Sequence, residues 1–163
     1  MTRRVQIAVI GKGTPDEALA PTAEEVGRRL AEADAVVVCG GLTGVMEATA
    51  RGASGAGGTV IGVIPSSHAD DANPHCTQVI ATGIGQARNL AVVSSGAAVI
   101  AIGGEWGTLS EIAYARELGR AVVAIESWEL SGAGPMSGGP GIEIVSDPAA
   151  AVETALERAR SSA

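Results

Sequence analysis

Residues 97–111 read AAVIAIGGEWGTLSE, and this stretch decides the fold. Its first part, Ala97–Ile102, is a continuous apolar run, which is typical of a strand buried on both faces of a parallel sheet. Glycines follow at once, and the spacing of residues from Gly107 to Leu118 favours an α-helix. The stretch therefore predicts a strand, a glycine turn and a helix in succession, which is the repeating unit of an α/β fold.

Similar units lie on both sides of this stretch. The predicted strands are Val5–Ile10, Ala35–Cys39, Thr59–Ile64, Gln78–Ala81, Ala97–Ile102 and Ala121–Ile125. The predicted helices are Glu17–Ala33, Gly44–Ala53, Gln86–Ser95, Gly107–Leu118 and Asp147–Arg160, the last with Asp147 as its N-cap. This alternation predicts one α/β domain over residues 1–163, with a doubly wound, mostly parallel sheet of modified Rossmann type and helices on both faces. Pro65–His75 and Leu130–Gly141 are expected to be loops.

Composition excludes several classes of protein. The chain has 163 residues, which suits one domain with its own core, and a net charge of −7 with Lys12 as its single lysine. This charge argues against a nucleic-acid or membrane-surface partner. The N-terminal apolar run is too short for a signal peptide, so we expect a cytoplasmic protein. Cys39 and Cys76 form no disulfide framework, and Cys39 is expected to be a small buried apolar residue.

The glycines concentrate after three predicted strands. Gly11 follows the first strand, Gly40, Gly41 and Gly44 follow the second, and Gly103, Gly104 and Gly107 follow the fifth. Parallel strands end at one edge of a sheet, where glycine backbone and helix N-termini can receive an anion. Turn chemistry alone is the alternative for any single turn, but three such turns favour a site for a phosphate-bearing ligand. Neither a Rossmann G-x-G-x-x-G nor a Walker motif is present.

Arg88 and Glu111 are the charged candidates at the same predicted edge. Both lie near the start of a helix that follows a strand. A guanidinium binds phosphate or ribose hydroxyls, and a carboxylate orients water or stabilises a developing cation. The alternative for Glu111 is a structural one, because Thr108 and Glu111 have the T-x-x-E spacing of a capping box.

The histidine-containing polar loop and Trp106 are two further features of the sequence. His68, His75, Asp70 and Asp71 match no recognised zinc pattern, so a solvated loop without metal is predicted there. Trp106 lies inside a glycine turn, where it is expected to shield a ligand or fill an interface.

The quoted motifs resemble those of the lonely guy (LOG), or lysine decarboxylase-like, family. Residues 40–46, GGLTGVM, are similar to the family's G-G-G-x-x-G-L-M, and residues 103–111, GGEWGTLSE, to its P-G-G-x-G-T-x-x-E. Residues 86–89 read QARN where the family's enzymes have H-x-R-K. Residues 82–88 and 107–113 look closer to a small sister group that includes molybdenum cofactor carrier proteins.

The resemblance implies two alternatives for function. One is a carrier or sensor that binds a nucleotide or the molybdenum cofactor, with no other cofactor required. The other is a phosphoribohydrolase that cleaves the N-glycosidic bond of nucleoside 5′-monophosphates. In either case the resemblance implies that Arg88 and Glu111 belong to the site, where they would be the catalytic residues of an enzyme. It also implies a homodimer or homotetramer. The implied ligand-binding residues are Gly11, Gly40, Gly41, Gly44, Val45, Met46, Gly103, Gly104, Glu105, Trp106, Gly107 and Thr108.

Overall fold

A computed structural model describes residues 3–128 and 141–161. The strands within these residues are β1 (Gln6–Gly11), β2 (Val36–Cys39), β3 (Val60–Ile64), β4 (Gln78–Ala81), β5 (Ala98–Ile102), β6 (Ala121–Ile125) and β7 (Ile142–Ile144). The α-helices are α1 (Ala20–Glu32), α2 (Val45–Gly55), α3 (Arg88–Ser95), α4 (Trp106–Glu117) and α5 (Pro148–Ser161). Short 3-10 helices cover Ala69–Asp71 and Gly85–Ala87.

The seven described strands form one parallel sheet. Their order is β4-β3-β2-β1-β5-β6-β7, and every neighbouring pair is parallel. The chain builds outward from β1 to β4, then crosses back to place β5 on the other side of β1. The strand order therefore reverses between β1 and β5, and a doubly wound sheet opens a crevice at this point, outside the carboxyl ends of the strands.

Alternating side chains of the strands build two cores. Ile7 and Val9 of β1 pack on the face covered by α1, α2 and α5, whereas Ala8 and Ile10 pack on the face covered by α3 and α4. Both faces of β5 and β6 are buried throughout, which explains why these strands are continuous apolar runs. The helices on both faces leave the carboxyl edge of the sheet open.

The fold predicted from sequence is confirmed. The sheet, the helices on both faces and all six predicted strands are present, and Asp147 caps α5 through its Oδ1, which accepts the Ala150 N–H at 2.9 Å. Strand β7 was not predicted. The predicted loop Leu130–Gly141 lies outside the described residues except for Gly141. None of the described helices combines the length and the apolar character that a membrane crossing requires.

Candidate functional site

A cavity of about 210 Å³ lies where the strand order reverses. Its walls come from the ends of β1 and β2, the start of α3 and the first turns of α4. The lining residues are Val9, Ile10, Gly11, Gly13, Gly40, Leu42, Thr43, Met46, Gln86, Arg88, Asn89, Glu105, Gly107, Thr108 and Glu111. The topology therefore brings residues of all three glycine turns and both charged candidates together at one edge.

Arg88 is a buried cation with spare hydrogen-bonding capacity. It is the first residue of α3 and only 4% exposed. One terminal nitrogen donates to Asn89 Oδ1, and the other lies 3.4 Å from the Gly40 carbonyl oxygen. Its Nε–H is buried with no acceptor among the described residues. Burial lowers the pKa of Arg88, while the negative charge of Glu111 raises it. A buried guanidinium without a carboxylate in contact is costly unless a ligand completes it.

Glu111 provides the second ionisable group of the cavity. It lies in the second turn of α4 and is 8% exposed. Burial raises its pKa to about 7, and the positive charge of Arg88 opposes that shift. Within the described chain its carboxylate makes no hydrogen bond and no direct ion pair with Arg88. A carboxyl with its pKa raised toward neutrality can act as a proton donor or acceptor.

Two glycines bring backbone up to the cavity where a side chain could not fit. A Cβ on Gly40 would lie 2.5 Å from the Met46 Sδ and 2.8 Å from a terminal nitrogen of Arg88. A Cβ on Gly11 would overlap the Ile102 carbonyl oxygen at the end of the neighbouring strand. Glycine at position 11 is thus required by close packing against backbone, and glycine at position 40 lets the Arg88 and Met46 side chains approach the end of β2.

The structure corrects the capping interpretation of Glu111. The capping box of α4 runs the other way, with Glu105 as N-cap and Thr108 at the third helical position. The Glu105 N–H lies 3.5 Å from Thr108 Oγ1, and the Glu105 side chain accepts the Thr108 N–H in return. The alternative of a capping box formed by Thr108 and Glu111 is not found in the described residues, because Thr108 pairs with Glu105 and Glu111 lines the cavity.

The capping carboxylate of Glu105 also stands at the positive end of α4. It accepts a hydrogen bond from Thr14 Oγ1 at 2.9 Å, which joins the loop after β1 to the start of α4. Both residues are exposed. A helix N-terminus attracts anions, so the chain's own carboxylate already occupies the place that an anionic ligand would seek at this helix.

Six predicted ligand residues do not line the cavity. They are Gly41, Gly44, Val45, Gly103, Gly104 and Trp106. Gly41 packs against β3, with φ of 69°, and Gly104 packs against the ring of Trp128. Trp106 is 77% exposed, and its ring centroid lies 5.4 Å from that of Trp128. These residues shape the turns around the cavity rather than its walls.

Several residues that line the cavity were not predicted from the sequence. Gln86 and Asn89 flank Arg88, and Thr43 and Gly13 lie inside glycine turns that were already singled out. Asn89 is 8% exposed and orients the guanidinium. Their nearness in sequence to Arg88 and to the glycine turns could have indicated them, since a helix start that faces a site contributes more than one residue to it.

A larger groove of about 800 Å³ runs along α1 and α2, away from the strand ends. Its charged side chains pair with each other, as in Arg28–Glu25 at 2.6 Å and Arg51–Glu24 at 3.1 Å. The groove therefore leaves few charges for a ligand, and the smaller cavity remains the candidate site.

Fold and site together define a Rossmann-like α/β protein with a cavity at the topological switch point. Residues 4–152 match the model of the SLOG cluster4 family, and the chain belongs to that family. It is 43% identical over 122 residues to an uncharacterised protein of Archaeoglobus fulgidus, a match that covers 75% of this chain and 80% of that protein.

Solved structures show the same relationship. The molybdenum cofactor binding protein of Rippkaea orientalis is 29% identical with a TM-score of 0.86, over 96% of this chain and 98% of that one. The molybdenum cofactor carrier protein MCP of Chlamydomonas reinhardtii is 28% identical with a TM-score of 0.84, over 96% of this chain and 98% of the other. The chain is thus related to molybdenum cofactor carrier structures over nearly its whole length.

Proposed function

We propose that the chain binds a phosphate-bearing ligand in the cavity between β1 and β5, as a carrier of the molybdenum cofactor or of a nucleotide. The ligand phosphate would accept hydrogen bonds from Arg88 and lie against the glycine backbone of the β1 and β2 turns. The molybdenum cofactor enters here as cargo, because it carries a phosphate ester and is named for two of the similar structures.

One observation carries this proposal, and it is the state of Arg88. Its guanidinium is 4% exposed, lines the cavity and keeps an Nε–H without an acceptor in the described residues. A phosphate oxygen supplies both the missing acceptor and the missing negative charge. No carboxylate of the described chain contacts Arg88, so the cation is left for a ligand.

The size of the cavity bears on how much of the ligand it encloses. Sites for drug-sized ligands usually measure about 300–1,000 Å³, so about 210 Å³ holds only part of a nucleotide or a pterin. We infer that the phosphate and its neighbouring atoms are enclosed and that the ring system lies at the mouth. The exposed side chains of Gln86 and Thr43 line that region.

A phosphoribohydrolase is the second candidate, and Glu111 favours it. A buried carboxyl with its pKa raised to about 7 beside a guanidinium suits an acid or base that activates water or stabilises an oxocarbenium-like state. Asn89, whose amide oxygen holds Arg88, stands where the LOG enzymes have lysine. That replacement favours the carrier over the enzyme.

Incubation with a panel of nucleoside 5′-monophosphates separates the two candidates. Free base would be assayed by chromatography, with thermal stabilisation recorded for the same ligands and for molybdopterin. A carrier is stabilised without releasing base. Release by the wild type that is abolished in Glu111→Ala would establish the hydrolase instead. If no ligand stabilises the chain and no base is released, both candidates are contradicted.

We also propose that the chain forms a homodimer or homotetramer through α3 and α4. These helices share one face of the sheet and carry the exposed apolar side chains Leu90 and Tyr114, and the exposed Leu118 directly follows α4. Apolar side chains exposed together are typical of protein interfaces. The helix layer lies beside the cavity, so a second copy would also approach its mouth.

A further inference from the structure

Two thiols meet beside the glycine turn that follows β2. Cys39 is the last residue of β2 and is fully buried, and Cys76 precedes β4 and is partly exposed. The Cys39 Sγ lies 3.9 Å from the Met46 carbonyl oxygen, and the two thiols are near enough to influence each other's pKa. Both sulfurs are free, and they come from segments on opposite sides of β3.

Gly62 of β3 makes this meeting possible. Its backbone is in register with Cys39, so a side chain here would project between the two cysteines. A Cβ on Gly62 would lie 2.6 Å from the Cys76 Sγ and 3.3 Å from the Cys76 Cβ. The absence of a side chain at Gly62 therefore opens the path along which Cys76 reaches Cys39.

The segment that carries Cys76 also holds the glycine turn. The Asn73 N–H donates to the Gly41 carbonyl at 2.8 Å, and its side-chain amide donates to the Leu42 carbonyl at 2.9 Å. Asn73 is 9% exposed, so both hydrogen bonds are shielded from water. A disulfide between the thiols would add a covalent link to the two hydrogen bonds that Asn73 makes with this turn. Three residues of the turn, Gly40, Leu42 and Thr43, line the cavity.

We propose that Cys39 and Cys76 are a redox-active dithiol that closes to an intramolecular disulfide and fixes the turn after β2. The oxidant is a small-molecule disulfide of the glutathione class. The Cys76 thiolate attacks one of its sulfurs, which releases one thiol and leaves a mixed disulfide on Cys76. The Cys39 thiolate then attacks the Cys76 Sγ and releases the second thiol. Both cysteine protons end on the released thiols, so two cysteines are oxidised and one disulfide is reduced.

The electrostatics of the pair suit this order of events. The neighbouring Cys39 thiol, against the effect of burial, lowers the pKa of the partly exposed Cys76. The interaction with Cys76, followed by burial, raises the pKa of Cys39. Once Cys76 is in a mixed disulfide its negative charge is gone, so the larger of these two effects on Cys39 disappears.

The test is incubation of the full chain with oxidised glutathione, followed by intact mass, thiol titration and peptide mapping. We expect loss of both thiols, a mass lower by two hydrogen atoms, a peptide pair joining positions 39 and 76, and full reversal by a dithiol reductant. Two thiols left free, a stable glutathione adduct on the wild type or a disulfide between two copies would overturn the proposal.

Two variants sharpen the result. Cys39→Ser removes the resolving thiol, and we expect it to stop at one glutathione on Cys76, whereas an unmodified Cys76 would contradict its role as the attacking thiol. Gly62→Ala keeps both cysteines but fills the path between them, and we expect slower closure in a chain of unchanged circular dichroism. Hydrogen exchange at Leu42, Thr43 and Gly44 should slow after oxidation, and unchanged exchange would overturn the claim that the disulfide fixes the turn. None of these readouts depends on the proposed ligand.

Discussion

Glu111 and Glu105 show how position decides what a carboxylate does. They lie six residues apart on one helix start. Glu111 is buried in the cavity with its pKa raised to about 7, and Glu105 is exposed and caps α4. The T-x-x-E spacing suggested a capping box of Thr108 with Glu111, whereas the structure pairs Thr108 with Glu105. The convergence of Arg88 and Glu111 was predictable because α/β topology places both helix starts at one sheet edge.

The raised pKa of Glu111 predicts a pH-dependent loss of stability. A carboxyl that holds its proton more tightly in the folded chain stabilises the fold below about pH 4.5, and this contribution is lost as pH rises through about 7. Removal of the charge in Glu111→Gln should eliminate this loss, which is worth about 3 kcal/mol.

Urea unfolding at several pH values between about 4.5 and 8 measures this difference. Glu117→Gln, an exposed carboxyl at the other end of α4, is the matched control and should follow the wild type. Parallel stability profiles for wild type and Glu111→Gln would show that Glu111 does not titrate in this way.

Glu105→Gln is expected to strengthen anion binding. The substitution removes a negative charge at the positive end of α4 while keeping an oxygen to cap it, and relief of about 1 kcal/mol of repulsion corresponds to roughly five- to tenfold tighter binding. Calorimetry with inorganic phosphate and with a nucleoside 5′-monophosphate measures the change. Weaker binding by Glu105→Gln would instead mean that the carboxylate contacts the ligand favourably.

At the scale of the elements, the strands were predictable where burial makes them continuous apolar runs. β5 and β6 are buried throughout, and their predicted positions agree with the structure to within one residue. β7 was not predicted because it has only three residues, two half-buried and one exposed, at the sheet edge, where no continuous apolar run is required. The close approach of α1 to α2 could not be predicted from the sequence, since the spacing of glycines does not say which helices cross.

The close crossing of α1 and α2 predicts how glycine substitutions in α2 change the stability of the chain. Cβ atoms on Gly27 and Gly52 would overlap the Thr49 and Glu24 carbonyl oxygens of the facing helix. Gly52→Ala should therefore destabilise the chain by about 1–3 kcal/mol through overpacking. Gly55→Ala in the same helix meets nothing within 4 Å and should be neutral or stabilising. Denaturant midpoints compare the two, and equal midpoints would contradict the close crossing.

At the scale of the whole molecule, the helices on both faces leave two surfaces for partners. One is the open sheet edge with the cavity, and the other is the outer face of α3 and α4. Light scattering should find a dimer or tetramer, and Tyr114→Lys should shift it toward a monomer, because Tyr114 is 46% exposed in this face. A wild-type monomer at high concentration would exclude that assembly.

The proposed function rests on Arg88, because a buried cation without a paired carboxylate costs stability that a bound anion would restore. Arg88→Met keeps the length and apolar stem of the side chain, and it should fold at least as stably as the wild type without ligand. Calorimetric titration of both chains with molybdopterin and with nucleoside 5′-monophosphates tests the phosphate site most directly. We predict that one of these ligands binds the wild type and that Arg88→Met binds it at least about tenfold more weakly. Equal binding by the two chains, or no binding of any of these ligands to the wild type, would contradict a phosphate site at Arg88.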